Sequence, residues 1–308
     1  MAYARGEHTG EILSDYRFGA EQVASLHAET RNLNSTNPCR NQTEKHMATD
    51  KMLAKKNGAV GHVIFNNPRR HNAVSLEMWD ACETILDDFL SAAEIRIILM
   101  SGAGGRSFVS GADISDLDSR RSDEDVAAKY NARIKGIYQR ISQSAKPTIA
   151  VIDGYCLGGG LALAVACDLR FCSEKSSFGL PAARLGLGYP FDGMKRLVDT
   201  LGPGATKDIV FSARQLNAGE ALAIGLVQKV LPEAELQPFA NHYAGLIAGN
   251  APLTVKAAKT IIGEVLKDAA ERDLALGQRL VDECFASDDY AEGRRAFAEK
   301  REPEFKGR

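Results

Sequence analysis

DGYCLGGGLALAVACDLR, residues 153–170, is the stretch on which the reading of this 308-residue chain turns. Just before it, TIAVI (148–152) follows Pro147 and is β-branched, uncharged and bounded by turns, which predicts a short buried strand. LALAVA, within the stretch, has the composition of a buried helix start. Gly158, Gly159 and Gly160 stand where strand hands over to helix. Glycine there permits φ > 0 and lets a ligand approach the backbone with no Cβ in the way. A helix N-terminus adds unpaired N–H groups and a partial positive charge, which suit an anion or a developing oxyanion. The same glycines also suit a plain tight turn that packs a helix on a sheet.

A second stretch repeats the pattern. IRIILM (95–100) reads as a strand and is followed by the loop SGAGGRSFVSGADISDL (101–117), in which SGADI again presents glycine-flanked amides after a strand. FVSGADI, then DGYCLGGGLALAVACDLR about 45 residues on, then SFGLPAARLGLG (177–188), together resemble the crotonase (enoyl-CoA hydratase/isomerase) superfamily. RQLNAGEALAIGLVQKVLP (214–232) and FASDDYAEGRRAFAEKREPEFKGR (285–308) fit the same family's later segments, so the resemblance spans roughly residues 52–308.

The resemblance implies an α/β fold, a crotonase-like spiral of ββα units ending in a C-terminal helical region used for trimer contacts. It divides the chain into a polar extension (1–50), an α/β core (51–245) and a helical end (246–308). It also implies an enzyme that stabilises a thioester enolate in an oxyanion hole, with the backbone amides of Ala112 and Gly159 as donors. Two fixed N–H donors aimed at the thioester oxygen are worth ~3–4 kcal/mol each to the enolate. The coenzyme A contacts fall on Arg69, Ala73, Ala112, Asp113 and Ile114, with Phe297 and Lys300 reaching the nucleotide held by a neighbouring subunit. Coenzyme A belongs to the substrate, so no separate cofactor and no metal is expected.

The chain departs from the family at its acid/base positions. Hydratases carry one glutamate two residues after the glycine run and a second after FGxP; here those positions hold Ala162 and Ala182. A methyl group transfers no proton, so two-glutamate water addition is unavailable. The family's further acid site is Pro190, within GYPFDG (188–193). That loop brings Tyr189 and Asp192 towards the acyl pocket. Asp192 is expected to be a buried base with a raised pKa, and Tyr189 an acid or hydrogen-bond donor. The competing reading makes Asp192 the cap of a helix starting at Gly193. Arg184 is read as structural. An isomerase, decarboxylase, thioester hydrolase or atypical hydratase all remain open, as does a catalytically silent acyl-CoA-binding homologue.

Composition limits the alternatives. With 38 basic and 40 acidic residues the net charge is −2, which speaks against nucleic acid and against an acidic membrane surface as partner. No run reaches the ~18 apolar residues of a membrane span. Six cysteines (39, 82, 156, 167, 172 and 284) form no CxxC pair, which predicts reduced thiols in the cytoplasm. The six histidines show no ligand spacing, GAGGRS (102–107) is an incomplete dinucleotide loop, and no phosphate loop or GxSxG elbow occurs. Residues 1–50 are polar and rich in acids, unlike a secretory signal or a mitochondrial presequence.

The remaining patterns are structural. AVGHVIF (59–65) predicts a strand. Ser75 predicts the cap of a helix over 76–92 whose stripe, Trp79, Cys82, Leu86 and Phe89, is core. A charged amphipathic helix is predicted over 123–144, and further helices over 203–212, 217–224, 233–249, 252–267 and 271–299. Leu274, Leu276, Leu280, Val281 and Phe285 give the last helices more apolar surface than one end domain buries, and the resemblance supplies the form, a homotrimer or dimer of trimers.

Overall fold

Successive turns of the chain lay one strand in each of two sheets. The chain divides into two units, Met1–His46 and Met47–Arg308, and the computed structural model describes residues 49–113 and 124–308, all within the second. The extension predicted over 1–50 and the coenzyme A contact predicted at Ile114 lie outside the described residues, but for Thr49 and Asp50.

In the first sheet β1 (Met52–Asn57) pairs antiparallel with β2 (Val60–Phe65). Strands β3 (Ile97–Gly102), β5 (Thr148–Ile152), β7 (Leu169–Ser173) and β10 (Lys229–Leu231) then extend it in parallel, each beside the one before. The second sheet holds β4 (Ser107–Val109), β6 (Tyr155–Leu157) and β8 (Ser177–Gly179) in parallel, closed by the antiparallel β9 (Gln215–Asn217). Odd and even strands from β3 to β8 thus alternate between sheets, with α1 (Leu76–Ser91), α2 (Glu124–Ser142) and α3 (Gly159–Ala166) as the returning helices. This is the expected spiral of ββα units.

The strands predicted as continuous apolar runs are buried on both faces. Ile98 and Met100 of β3, with Ala150 and Ile152 of β5, point into one core with the buried faces of α1 and α3. Ile97, Leu99, Ile149 and Val151 alternate with them into a second core, under α6 (Glu233–Gly249). Helix α6 covers that face with Leu236, Ala240, Ala244 and Ala248, a spacing of four that makes one stripe. Ser75 caps α1 as predicted, accepting from Met78 N at 3.4 Å, and the stripe of Trp79, Cys82, Leu86 and Phe89 is core.

The C-terminal part is helical. It comprises α4 (Phe191–Ser212), α5 (Ala218–Ala223), α6, α7 (Pro252–Val265), α8 (Leu274–Ala286) and α9 (Asp288–Glu299). Two predicted boundaries change. Helix α4 begins at Phe191 rather than Gly193 and breaks at Gly202, whose φ of 74° before Pro203 cannot continue a helix. The single helix predicted over 271–299 is two, because Ser287 Oγ takes the amide of Tyr290 at 3.1 Å and so caps α9. Among the described residues no helix is long and apolar enough to cross a membrane, and no group of three or more His, Cys, Asp or Glu side chains is arranged to hold a metal ion.

Candidate active site

The loop NNPRRHNAV, between β2 and α1, is tied together by a fully buried asparagine. Asn72 Nδ2 donates to the carbonyls of Ala103 and Ser107 at 3.0 and 2.7 Å, and its Oδ1 accepts from Asn67 N at 2.8 Å. His71 and Asn72 both hold left-handed backbone, with φ of 53° and 54°. Asparagine is among the residues most at ease there, a signal that the sequence carries and that residue-type scanning for chemistry passes over. The effect is to present Ala73 and Val74 to the next loop.

There Val74 makes a parallel bridge with Ala112. Val74 N donates to Gly111 O at 2.9 Å, and Val74 O accepts from Asp113 N at 3.1 Å. In a parallel bridge the flanking residues face the partner, so the amide of Ala112 points the other way. Gly111 takes φ of 113°, a turn that favours glycine.

On that other side lies the triple glycine. Gly158 has φ of 53° and ψ of −117°, and its N–H is anchored to Gly179 O at 2.9 Å. Gly159 is the first residue of α3, so its own N–H has no carbonyl four residues back within the helix. A Cβ at Gly159 would stand 3.7 Å from Gly111 Cα and 3.9 Å from Ala112 N, and one at Gly111 would stand 3.7 Å from Gly159 N. The two loops therefore face one another across a space kept open by the lack of two side chains. Gly160 serves packing: a Cβ there would meet Val109 O at 1.9 Å. The far end of α3 is held by the buried Arg170, which donates to the carbonyls of Cys167 at 2.6 Å and Leu226 at 2.7 Å.

The acid/base positions are apolar as the sequence states. Ala162, on α3, and Ala182, in the turn Pro181–Leu185, are half-buried against the main core, as is Tyr189. Burial pushes the Tyr189 phenol up to about 12, so it is protonated at neutral pH. Its ring lies over Gly193, where a Cβ would meet Cε1 at 2.5 Å.

Asp192 departs from its expected environment on each count. Its side chain is 39% exposed and its Oδ2 sits 2.6 Å from Lys135 Nζ. The Lys135 ammonium holds the carboxyl below its ordinary value instead of desolvation raising it. Nor does it cap: Pro190 occupies the N-cap, and Asp192 lies inside the first turn of α4, where its negative charge is favourable to the positive end of the helix dipole.

The residues expected at coenzyme A divide between two places. Arg69 is exposed, whereas its neighbour Arg70 reaches Asp113 at 3.0 Å. That pair lines a polar pocket with Lys51, Asn67 and Ser75. Phe297, 87% exposed, and Lys300 lie together at the end of α9. Phe297 borders an apolar groove of about 680 Å³ shared with Ile261, Val281, Phe285 and Phe305. Sequence reading passed over Tyr138, on α2, whose hydroxyl donates to Gly159 O at 2.9 Å. No motif surrounds that tyrosine, and only the packing of α2 against α3 brings it there.

The family model described as enoyl-CoA hydratase/isomerase matches residues 55–308. The short-chain-enoyl-CoA hydratase of Clostridium acetobutylicum is 34% identical over 263 residues, which cover 85% of this chain and all of that protein. The carnitinyl-CoA dehydratase of Proteus mirabilis is 33% identical over 260 residues, covering 82% of this chain and 96% of its own. Among solved structures, enoyl-CoA hydratase from Bacillus anthracis superposes with a TM-score of 0.80 at 30% identity, covering 84% of this chain and all of that one.

Proposed function

The chain belongs to the enoyl-CoA hydratase/isomerase family, and from that premise we propose that it processes acyl-CoA thioesters through an enolate stabilised by the amides of Ala112 and Gly159. The observation that carries the reading is the approach of these two amide-bearing loops across the gap left by Gly111 and Gly159. Both donors are backbone groups, fixed before substrate arrives, so they need no reorganisation when charge develops on the thioester oxygen.

The proton chemistry must differ from two-glutamate hydration. Ala162 and Ala182 carry no acid, and Asp192 is turned to solvent and paired with Lys135. The donor left in this segment is Tyr189, half-buried against the main core and protonated at neutral pH. Among the open reactions, loss of carbon dioxide from an α-carboxyacyl-CoA, a malonyl-type thioester, asks least of a protein base. The breaking C–C bond leaves its electron pair on the α-carbon, the enolate forms against the two amides, and the proton that completes the product comes from Tyr189, which solvent reprotonates. Isomerisation, thioester hydrolysis and atypical hydration each need a base to be supplied.

Coenzyme A enters as part of the substrate, with Arg69, Ala73, Ala112, Asp113 and Ile114 as its contacts, and no separate cofactor is invoked. We assign residues 51–245 to the α/β core and 246–308 to assembly as a homotrimer or dimer of trimers, which brings Phe297 and Lys300 to a neighbour's nucleotide. The exposed Phe285, Phe297 and Leu274 on α8 and α9 support that assignment. A cytoplasmic setting is supported by the free thiols of Cys82, Cys156, Cys167 and Cys172, all buried.

The test is a panel of acyl-CoAs, α-carboxyacyl-CoAs included, incubated in deuterium oxide and followed by mass spectrometry. Deuterium at the α-carbon of any member supports the enolate. Binding of acyl-CoA with neither exchange nor product across the panel supports instead a catalytically silent homologue, the alternative that Ala162 and Ala182 leave open.

A further inference from the structure

Gly159 offers the core no side chain to grip, and glycines flank it on both sides. Its neighbours are fixed separately, Gly158 by the bond from its N–H to Gly179 O and Gly160 by close packing on Val109. Gly159 is held from outside the loop. Tyr138 Oη donates to its carbonyl at 2.9 Å and stands 3.5 Å from where its Cβ would be.

The tyrosine is itself braced. It is buried, its ring meets Trp79 edge-on at 5.8 Å and 83°, and the Arg196 guanidinium lies over its face at 5.7 Å from the ring centre. A carbonyl in the first turn of a helix already accepts an amide four residues on. The tyrosine bond is therefore not needed to satisfy Gly159 O, whereas the buried hydroxyl needs the carbonyl. A phenylalanine would fill the same space without that demand.

We propose that Tyr138 is a positioning residue of the oxyanion hole, holding the Gly159 backbone so that its N–H stays aligned with that of Ala112. The proposal rests on the reading of those two amides as the donor pair.

Butyryl-CoA labelled with ¹³C at the thioester carbonyl tests both and separates them. In the wild type, infrared difference spectra should show the carbonyl stretch moving to lower frequency on binding. Gly159→Ala should abolish the movement. Tyr138→Phe, which keeps the ring and its contacts with Trp79 and Arg196, should lose half of it or more. Its melting temperature and affinity should stay near wild type while deuterium incorporation at the α-carbon of the reactive members of the acyl-CoA panel falls about tenfold or more, the scale on which misplaced reacting groups cost rate. A wild-type shift that Tyr138→Phe retains in full overturns the positioning role alone. No shift in the wild type, or a shift that survives Gly159→Ala, overturns the oxyanion-hole reading and this inference with it. A Tyr138→Phe chain that does not fold assigns the hydroxyl to stability and also overturns the proposal.

Discussion

Lys135 Nζ lies 2.6 Å from Asp192 Oδ2, an ion pair that ties α2 to the first turn of α4. The carboxylate that sequence reading placed in a dry pocket is thereby spent on joining two helices in reach of solvent. Asp192→Asn should accordingly leave deuterium incorporation at the α-carbon of a reactive acyl-CoA within about twofold of wild type, since no proton route through residue 192 is lost. Lys135→Met should have the same effect, because each deletes an exposed ion pair, a kind typically worth ~1 kcal/mol or less. Exchange measured by mass spectrometry decides the point, and a fall of tenfold or more in Asp192→Asn alone restores the aspartate as base.

The last two glycines of the triple run should respond in opposite ways to one methyl group. At Gly159 the backbone is helical and the nearest neighbour of a Cβ is Tyr138 Oη at 3.5 Å, an ordinary contact. Gly159→Ala should fold at wild-type stability or slightly above it, while turnover falls by about 10²–10³, the usual cost of spoiling one oxyanion donor. At Gly160 the same methyl meets a backbone carbonyl at 1.9 Å. Gly160→Ala should lose about 2 kcal/mol or more, as overpacking does. Melting curves and kinetics on the two variants test the pair together, and equal behaviour contradicts it.

Why some of this was legible in the sequence and some was not follows from how far each signal reaches. TIAVI announced a doubly buried strand because both alternating sets, Ile149 with Val151 and Ala150 with Ile152, are apolar. The glycine loops were legible because glycine at a strand-to-helix junction constrains the local backbone, wherever the rest of the chain goes. Ser287 carried a cap signal, but the apolar pattern running on both sides of it read as one helix. The environment of Asp192 was not legible at all: its partner Lys135 lies 57 residues earlier in sequence, on a helix whose docking depends on the assembled core. Tyr138 is the same case in reverse, an ordinary core aromatic in sequence that only tertiary packing sets against Gly159.

Acid should loosen the C-terminal tail first. Glu292 on α9 accepts hydrogen bonds from Arg301, Arg295 and the amide of Glu304, and these hold its carboxyl well below its ordinary 4.5. A depressed folded-state pKa gives stability that is fully present above the ordinary value and lost as pH falls through the folded one. The protection of residues 300–308 against hydrogen exchange, taken relative to the intrinsic rate at each pH, should therefore be flat from pH 7 to about 5 and fall below about 4.5, before the core unfolds. In Glu292→Gln the tail should exchange faster at pH 7 and lose that acid dependence. A tail in the wild type that stays protected until the whole chain melts argues against this ordering.

Lys300 separates a structural role from a binding role within one residue. It ends α9 in left-handed backbone, with φ of 54°, where its amide donates to Ala296 O and Phe297 O. A side chain other than glycine is strained there by about 1 kcal/mol, so Lys300→Gly should make the isolated chain more stable by about that amount. If the ammonium also reaches a coenzyme A phosphate, the same substitution should weaken acyl-CoA binding about tenfold or more, the worth of one charge-assisted hydrogen bond. Lys300→Ala keeps the strain and removes only the charge, so it should lose affinity equally while its melting temperature stays near wild type. Calorimetric titration with butyryl-CoA and thermal melts on both variants give four readings. Higher stability in Lys300→Gly with unchanged affinity in both variants would make Lys300 a helix end and remove it from the coenzyme A contacts.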